Sequence, residues 1–149
     1  MRVRDLYTPG VQVTQPDRAL AEAARIMLQT HVGSLIVVKS DGTDRRPVGI
    51  LTDRDIVRGQ LKRSADLFCL SVGDVMTPEP LVITANADVA EAIESLRDRG
   101  VRRAPVVDGA GNLVGIISLD DLLPAVAREL EGLSTLVGTQ ARCERKLTA

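Results

Sequence analysis

The chain has 149 residues, 44% of them apolar and 26% charged, with a formal net charge of −1. That balance describes a soluble globular protein, long enough for one domain or two small subdomains around a core. It excludes a field that attracts nucleic acid or an acidic membrane, and with Tyr7 and Phe68 as the only aromatics the chain also lacks the stacking side chains of a nucleic-acid surface.

In chain order, the opening "MRVRDLYTPG" has no apolar stretch of the kind a signal peptide carries. No run reaches the ~18 apolar residues that span a bilayer, so a cytoplasmic location is the expectation. The lead segment ends in Thr-Pro, where proline disfavours helix in the residue before it. A short strand, "VQVT", comes next at Val11–Thr14. It leads into an amphipathic helix with Leu20, Ala23, Ala24, Met27 and Leu28 on one face. Two strands, "SLIVV" and "PVGILT", are joined by Asp-Gly turn chemistry and read as a hairpin. A second helix opens after Thr52, and Lys62 to Ser71 form a crossover to the second half of the chain.

The second half repeats the series. "VRDLYTPG" at Val3 returns as "VGDVMTPE" at Val72, and "LAEAARIM" at Leu20 as "VAEAIESL" at Val89. "VGSLIVV" at Val32 returns as "VRRAPVV" at Val101, and "VGILTDRDIV" at Val48 as "VGIISLDDLL" at Val114. The offset is 69 residues for the first three and 66 for the last. The three-residue difference therefore lies in the hairpin turn, where length changes are tolerated. In the second copy Val89, Ala92, Ile93 and Leu96 share a helix face and Gly100 suits its C-terminus.

The unit is β-α-β-β-α, twice. Repeat one occupies 2–63, the linker 64–71, repeat two 72–131, and the tail 132–149 has weak periodicity that leaves its structure open. Two such units, each of about 60 residues and too small to bury much alone, are expected to pack sheet against sheet around one shared core. Pro124 conflicts with the last helix, which must begin later or kink there.

Chemistry concentrates in the duplicated run "GILTDRD" (Gly49–Asp55) and "GIISLDD" (Gly115–Asp121). The glycines let a ligand or another backbone approach, and Ile50 and Ile116 can line a flat apolar pocket. Thr52 and Ser118 open helices, where free N–H groups and the dipole favour an anion. Asp55 and Asp121, three residues on, suit a ribose diol. The competing reading is a capping box, in which the same side chains satisfy backbone donors. Duplication at equivalent positions favours the ligand role, and a cap hydroxyl can serve both. The one basic cluster, "RDRGVRRAP", reads as cations at a helix C-terminus or as Arg102 and Arg103 facing phosphates. The first copy has Gly33 and Ser34 in their places, so two sites of unequal phosphate affinity are expected. His31, the only histidine, reads as a polar helix end. Cys69 and Cys143 have no metal spacing and read as reduced thiols. With one histidine, no phosphate-binding lysine loop and no metal cluster, an enzyme is disfavoured.

From about Arg2 to about Leu130 the sequence resembles a tandem CBS-domain pair, or Bateman module. The resemblance rests on the duplicated Gly-apolar-apolar-Thr/Ser-x-x-Asp signature and on "VRRAPVVD". It implies an α+β fold of two CBS repeats packed sheet to sheet with pseudo-two-fold symmetry, acting as a stand-alone homodimer. It also implies a regulatory ligand, AMP, ADP or ATP, with S-adenosylmethionine admitted, and no cofactor. Each nucleotide is expected between the repeats. Asp55 or Asp121 would hold ribose, and Thr52, Ser118, Arg102 and Arg103 phosphate. The base would rest near Ile50, Leu81 and Val82 in the Thr52 site, with Arg102 close by. In the Ser118 site it would rest near Ile116, Val11, Val32 and Gly33. The first copy departs from the family at Ile36, where the second has Pro105. The effector protein is not named by the sequence. The alternative is a ligand-independent dimerisation or interaction scaffold whose signatures serve only as caps.

Overall fold

In the computed structural model, residues 1–41 and 43–147 are described. Gly42, half of the expected Asp-Gly turn, and the tail residues Thr148 and Ala149 lie outside them, as do the side chains of 41, 137–139 and 141–147, Cys143 among them. The first half runs through a 3-10 turn (Val3–Asp5), β1 (Thr8–Pro9), β2 (Val13–Thr14), α1 (Leu20–Thr30), β3 (Ser34–Asp41), β4 (Asp44–Thr52) and α2 (Asp53–Arg63). The second repeats it as α3 (Val72–Val75), β5 (Thr77–Pro78), β6 (Ile83–Thr84), α4 (Val89–Arg99), β7 (Arg103–Val107), β8 (Leu113–Ser118) and α5 (Leu119–Leu147).

The strands form two four-stranded sheets, β2-β3-β4-β5 and β1-β8-β7-β6. Each lead segment has crossed to the other repeat. β1 pairs antiparallel with β8, Thr8 opposite Ile116, and β5 pairs antiparallel with β4, Thr77 opposite Ile50. The exchange is reciprocal down to single hydrogen bonds: Val3 N–H donates to Ala87 O at 3.0 Å and Val72 N–H to Arg18 O at 2.9 Å.

This exchange explains the signature glycines. A Cβ on Gly49 would stand 2.6 Å from Met76 Sδ and 3.1 Å from Thr77 O, and one on Gly115 would meet the Tyr7 ring and come within 2.5 Å of Thr8 O. The expected close approach is that of another chain segment.

The apolar residues form two clusters instead of the single shared core expected from the sequence. One gathers Leu20, Ala23, Met27, Leu35, Val37 and Leu51 with Leu70 and Val72; the other gathers Val89, Ala92, Leu96, Ala104, Val106 and Ile117 with Val3. Strand alternation is the reason. Leu35 and Val37 point to their own helices, whereas Ile36 between them belongs to neither cluster and is 1% exposed. Ile36 and its counterpart Pro105 are buried on the opposite faces, and β4 touches β8 between the sheets. Burial on both faces is why "LIVV" runs apolar without alternation.

Helix ends reflect local chemistry. Ala19 has no side chain to cap α1, and the linker replaces it: Leu20 N–H donates to Leu70 O and Ala21 N–H to Leu67 O. Asp88 caps α4 with its own carboxylate, which accepts from Ala90 N–H. His31 ends α1 in the left-handed region at φ 55°, as Gly100 ends α4 at φ 63°. Leu28, placed on the inner face by periodicity, is 76% exposed; the inward stripe of α1 is Leu20, Ala23 and Met27, and Leu28 falls past its edge. α5 begins at Leu119 and carries Pro124 inside it, which rules out a later start. It also continues through most of the tail. No helix among the described residues is long and apolar enough to cross a membrane.

Candidate functional site

Each signature ends a strand and begins a helix, and in each the aspartate carboxylate caps the backbone N–H three residues earlier, with the full reciprocal capping box formed at Thr52 and Asp55. Thr52 N–H donates to Asp55 Oδ2 at 3.0 Å, and Asp55 N–H donates to Thr52 Oγ1 at 3.1 Å. In the second copy Ser118 N–H and Ser118 Oγ donate to Asp121 Oδ2 at 2.8 and 2.7 Å. Ser71 and Asp74 at the start of α3 make the same arrangement, so the spacing by itself marks a helix start. The expected anion seat at the helix mouth is not what α2 offers. Its first three N–H groups are occupied by Gly33 O, Asp53 Oδ1 and Thr52 Oγ1. The first three backbone donors of α2 are thus not available to an anion.

What separates the two signatures from a plain cap is where they open. Thr52 and Asp55 line a cleft of about 610 Å³ together with Ile50 and with Val101, Arg102 and Arg103 of the other repeat. Ser118 and Asp121 line a second cleft of about 400 Å³ with Ile116 and with Val11, Val32, Gly33 and Ile36 of the first repeat. Both volumes suit a small-molecule ligand. A further depression of about 230 Å³, lined by Thr14, Arg18, Glu22 and Arg45 among others, lies away from both signatures.

Most of the residues singled out in the sequence thus meet in the two clefts. Leu81 and Val82 do not. Leu81 packs on the apolar cluster of the second repeat and Val82 is 39% exposed. The reason is register. Val11 corresponds by the 69-residue offset to Pro80, one place before Leu81, and β6 spans only Ile83 and Thr84. Thr77 and Val101 line the first cleft instead; the offset relating them to Thr8 and Val32 was the signal that could have found them. Gly33 and Arg103 line both clefts.

The clefts differ in charge. The first is lined by Arg54, Arg102 and Arg103 against Asp53 and Asp55. The second has Arg103 alone against Asp120 and Asp121. The carboxylates also differ. Asp121 Oδ1 accepts from Thr8 Oγ1 at 3.3 Å, whereas among the described residues no donor reaches Asp55 Oδ1.

Other reactive groups stand apart from the clefts. Cys69 is exposed, and its thiol is pushed up from the ordinary value, first by a hydrogen bond with Asp66 and then by that carboxylate's charge. It is therefore a poor nucleophile at neutral pH. Among the described residues no group of three or more His, Cys, Asp or Glu could hold a metal ion.

The CBS-domain family matches the chain twice, over residues 3–62 and 72–128. An uncharacterised 17.7 kDa protein of Acidianus ambivalens is 34% identical over 125 residues, covering 84% of this chain and 73% of the relative. Inosine-5'-monophosphate dehydrogenase of Thermoplasma acidophilum is 33% identical over 135 residues, covering 87% of this chain and 24% of that enzyme. Among solved structures, that of CBSX2 in complex with AMP aligns with a TM-score of 0.70 and 28% identity, over 85% of this chain and 96% of that one.

Proposed function

The chain belongs to the CBS-domain family and carries two copies of its domain, and from that premise we propose that it binds adenine nucleotides in the two clefts and signals through its conformation, without catalysing a reaction. The observation that carries the reading is the convergence of Thr52 and Asp55 of one repeat with Val101, Arg102 and Arg103 of the other in a single cleft. Ile50 and Val101 supply apolar surface for a base. Asp55 Oδ1 is an acceptor for a ribose diol, and such charge-assisted bonds contribute roughly 1.5–3 kcal/mol each. Arg54, Arg102 and Arg103 would neutralise a di- or triphosphate. The AMP-bound relative supports the ligand class. A ligand that touches both repeats stabilises one arrangement of them, and an effector that prefers that arrangement is recruited or released.

The same reading includes a homodimer. Every residue of α5 from Val126 to Leu136 is exposed, with Leu130 and Leu133 each at 61% and Leu136 at 67%. Apolar side chains left in water are unfavourable, and a second copy of the chain would bury this stripe.

Calorimetry tests the ligand reading. AMP, ADP, ATP and S-adenosylmethionine are titrated into wild type and into Asp55→Asn plus Asp121→Asn, which keeps an oxygen for each cap. One of the four should bind wild type at least about tenfold more tightly than the double variant. Equal or absent binding overturns the proposal and favours the interaction scaffold.

A further inference from the structure

Arg103 stands between the two clefts. It is the first residue of β7, and in the ladder it lies opposite Ser118. Its guanidinium reaches the other way: Nη1 donates to Ser34 Oγ at 2.8 Å, and Ser34 lies opposite Thr52. One side chain thus starts beside one signature, ends beside the other, and lines both clefts.

Its partner there is a neutral hydroxyl. Among the described residues no carboxylate forms an ion pair with Arg103. The cation is free to exchange Ser34 for an anion on either side, and a bidentate grip on a phosphate in one cleft turns the side chain toward that cleft and away from the other.

We propose that Arg103 is a single phosphate-binding cation shared by the two clefts, so that the first phosphate-bearing nucleotide captures it and weakens the binding of the second. The inference rests on the nucleotide reading above. The consequence is lopsided. When Arg103 turns to the first cleft, the second retains Asp120 and Asp121 and no arginine along its lining. When Arg103 turns to the second, the first still has Arg54 and Arg102. The coupling free energy is nevertheless the same in both directions, because linkage is reciprocal.

The experiment is calorimetry with ADP and with adenosine. Wild type is compared with the single-cleft variants Asp55→Asn and Asp121→Asn, and each of the three is repeated with Arg103→Gln. In wild type the second ADP should bind at least about tenfold more weakly than the same cleft measured alone. Arg103→Gln should remove that penalty, and adenosine, which has no phosphate, should show none. A second ADP that binds as tightly as in the single-cleft variant overturns the sharing, as does a penalty that survives Arg103→Gln or appears with adenosine. Two-site binding without coupling defeats only this inference, whereas no ADP binding to any of the proteins defeats the nucleotide reading with it.

Discussion

Arg103 donates a 2.8 Å hydrogen bond to Ser34, and these two residues occupy the same position in the two repeats. A contact between equivalent positions can lie only on the axis that relates the copies. The symmetry is broken there, by a guanidinium on one side and a hydroxymethyl on the other. Ser34→Arg should therefore raise the affinity of the Ser118 cleft for ADP by about tenfold. It should also cost up to about 1 kcal/mol of stability, as two exposed cations come together at the axis. Titration and a urea melt of the variant measure the two effects. Unchanged ADP affinity would mean that this position does not face the phosphates.

The crossed lead segments make the two signature glycines unequal in cost. Gly49→Ala drives its new methyl against Met76 Sδ, the flexible end of a side chain, and also into 3.1 Å contact with Thr77 O. Gly115→Ala presses on the Tyr7 ring and on Thr8 O at 2.5 Å, neither of which can retreat without moving β1. Overpacking of this kind costs about 1–3 kcal/mol. Gly115→Ala should fall at the upper end and Gly49→Ala at the lower, as read by denaturant unfolding. The reverse order would count against the exchange of β1 and β5.

His31→Gly should stabilise the protein. His31 holds φ 55° where the second repeat has Gly100 at φ 63°, and a side chain in that region is strained. The gain should be about 0.5–1 kcal/mol, a rise of roughly 1–4 °C in melting temperature for a chain of this size. A lower melting temperature would show that the imidazole makes a contact worth more than the strain.

Two carboxylates contribute stability that acid removes. Asp74 is held below the ordinary carboxylate range, first by the Ser71 N–H, then by the Ser71 hydroxyl, with Arg63 adding its charge. Asp108, in the β7–β8 turn, is held down first by the Asn112 N–H and also by Ala110 N–H. A carboxylate depressed in the folded state stabilises fully above its unfolded value, about 4, and that contribution disappears as pH falls through the folded value. Thermal melts between pH 7 and pH 2 should show Asp74→Asn and Asp108→Asn losing less stability below pH 4 than wild type. Parallel curves would refute the assignment.

The exposed stripe on α5 predicts an assembly. Sedimentation of wild type should give twice the mass of the chain. Leu130→Glu with Leu133→Glu should give the monomer with reduced helicity, because a lone helix without its partner frays. A wild-type monomer, or a variant that remains a dimer, would place the interface elsewhere or remove it.

Much of the molecule is legible in the sequence. The duplication, the alternation of β2, α1, β3, β4 and α2, the helices opening after Thr52 and Ser118, and the end of α1 at His31 all arise from local chemistry. Periodicity, capping and turn residues act over a few positions, and the sequence displays them directly. The box at Thr52 and Asp55 belongs to this class, as does the difference between Gly33-Ser34 and Arg102-Arg103. What the sequence could not decide depended on partners distant along the chain. Which sheet β1 and β5 would join, whether the apolar residues formed one core or two, and that Leu81 turns inward while Val101 lines a cleft were all settled by packing between the repeats. Gly49 and Gly115 show the division most clearly. Their lack of a side chain is plain in the sequence, but what approaches them, Met76 and Tyr7 from the opposite repeat, is decided only when the two halves meet. The same holds for Arg103: its charge is written in the sequence, and its place on the axis exists only in the folded pair.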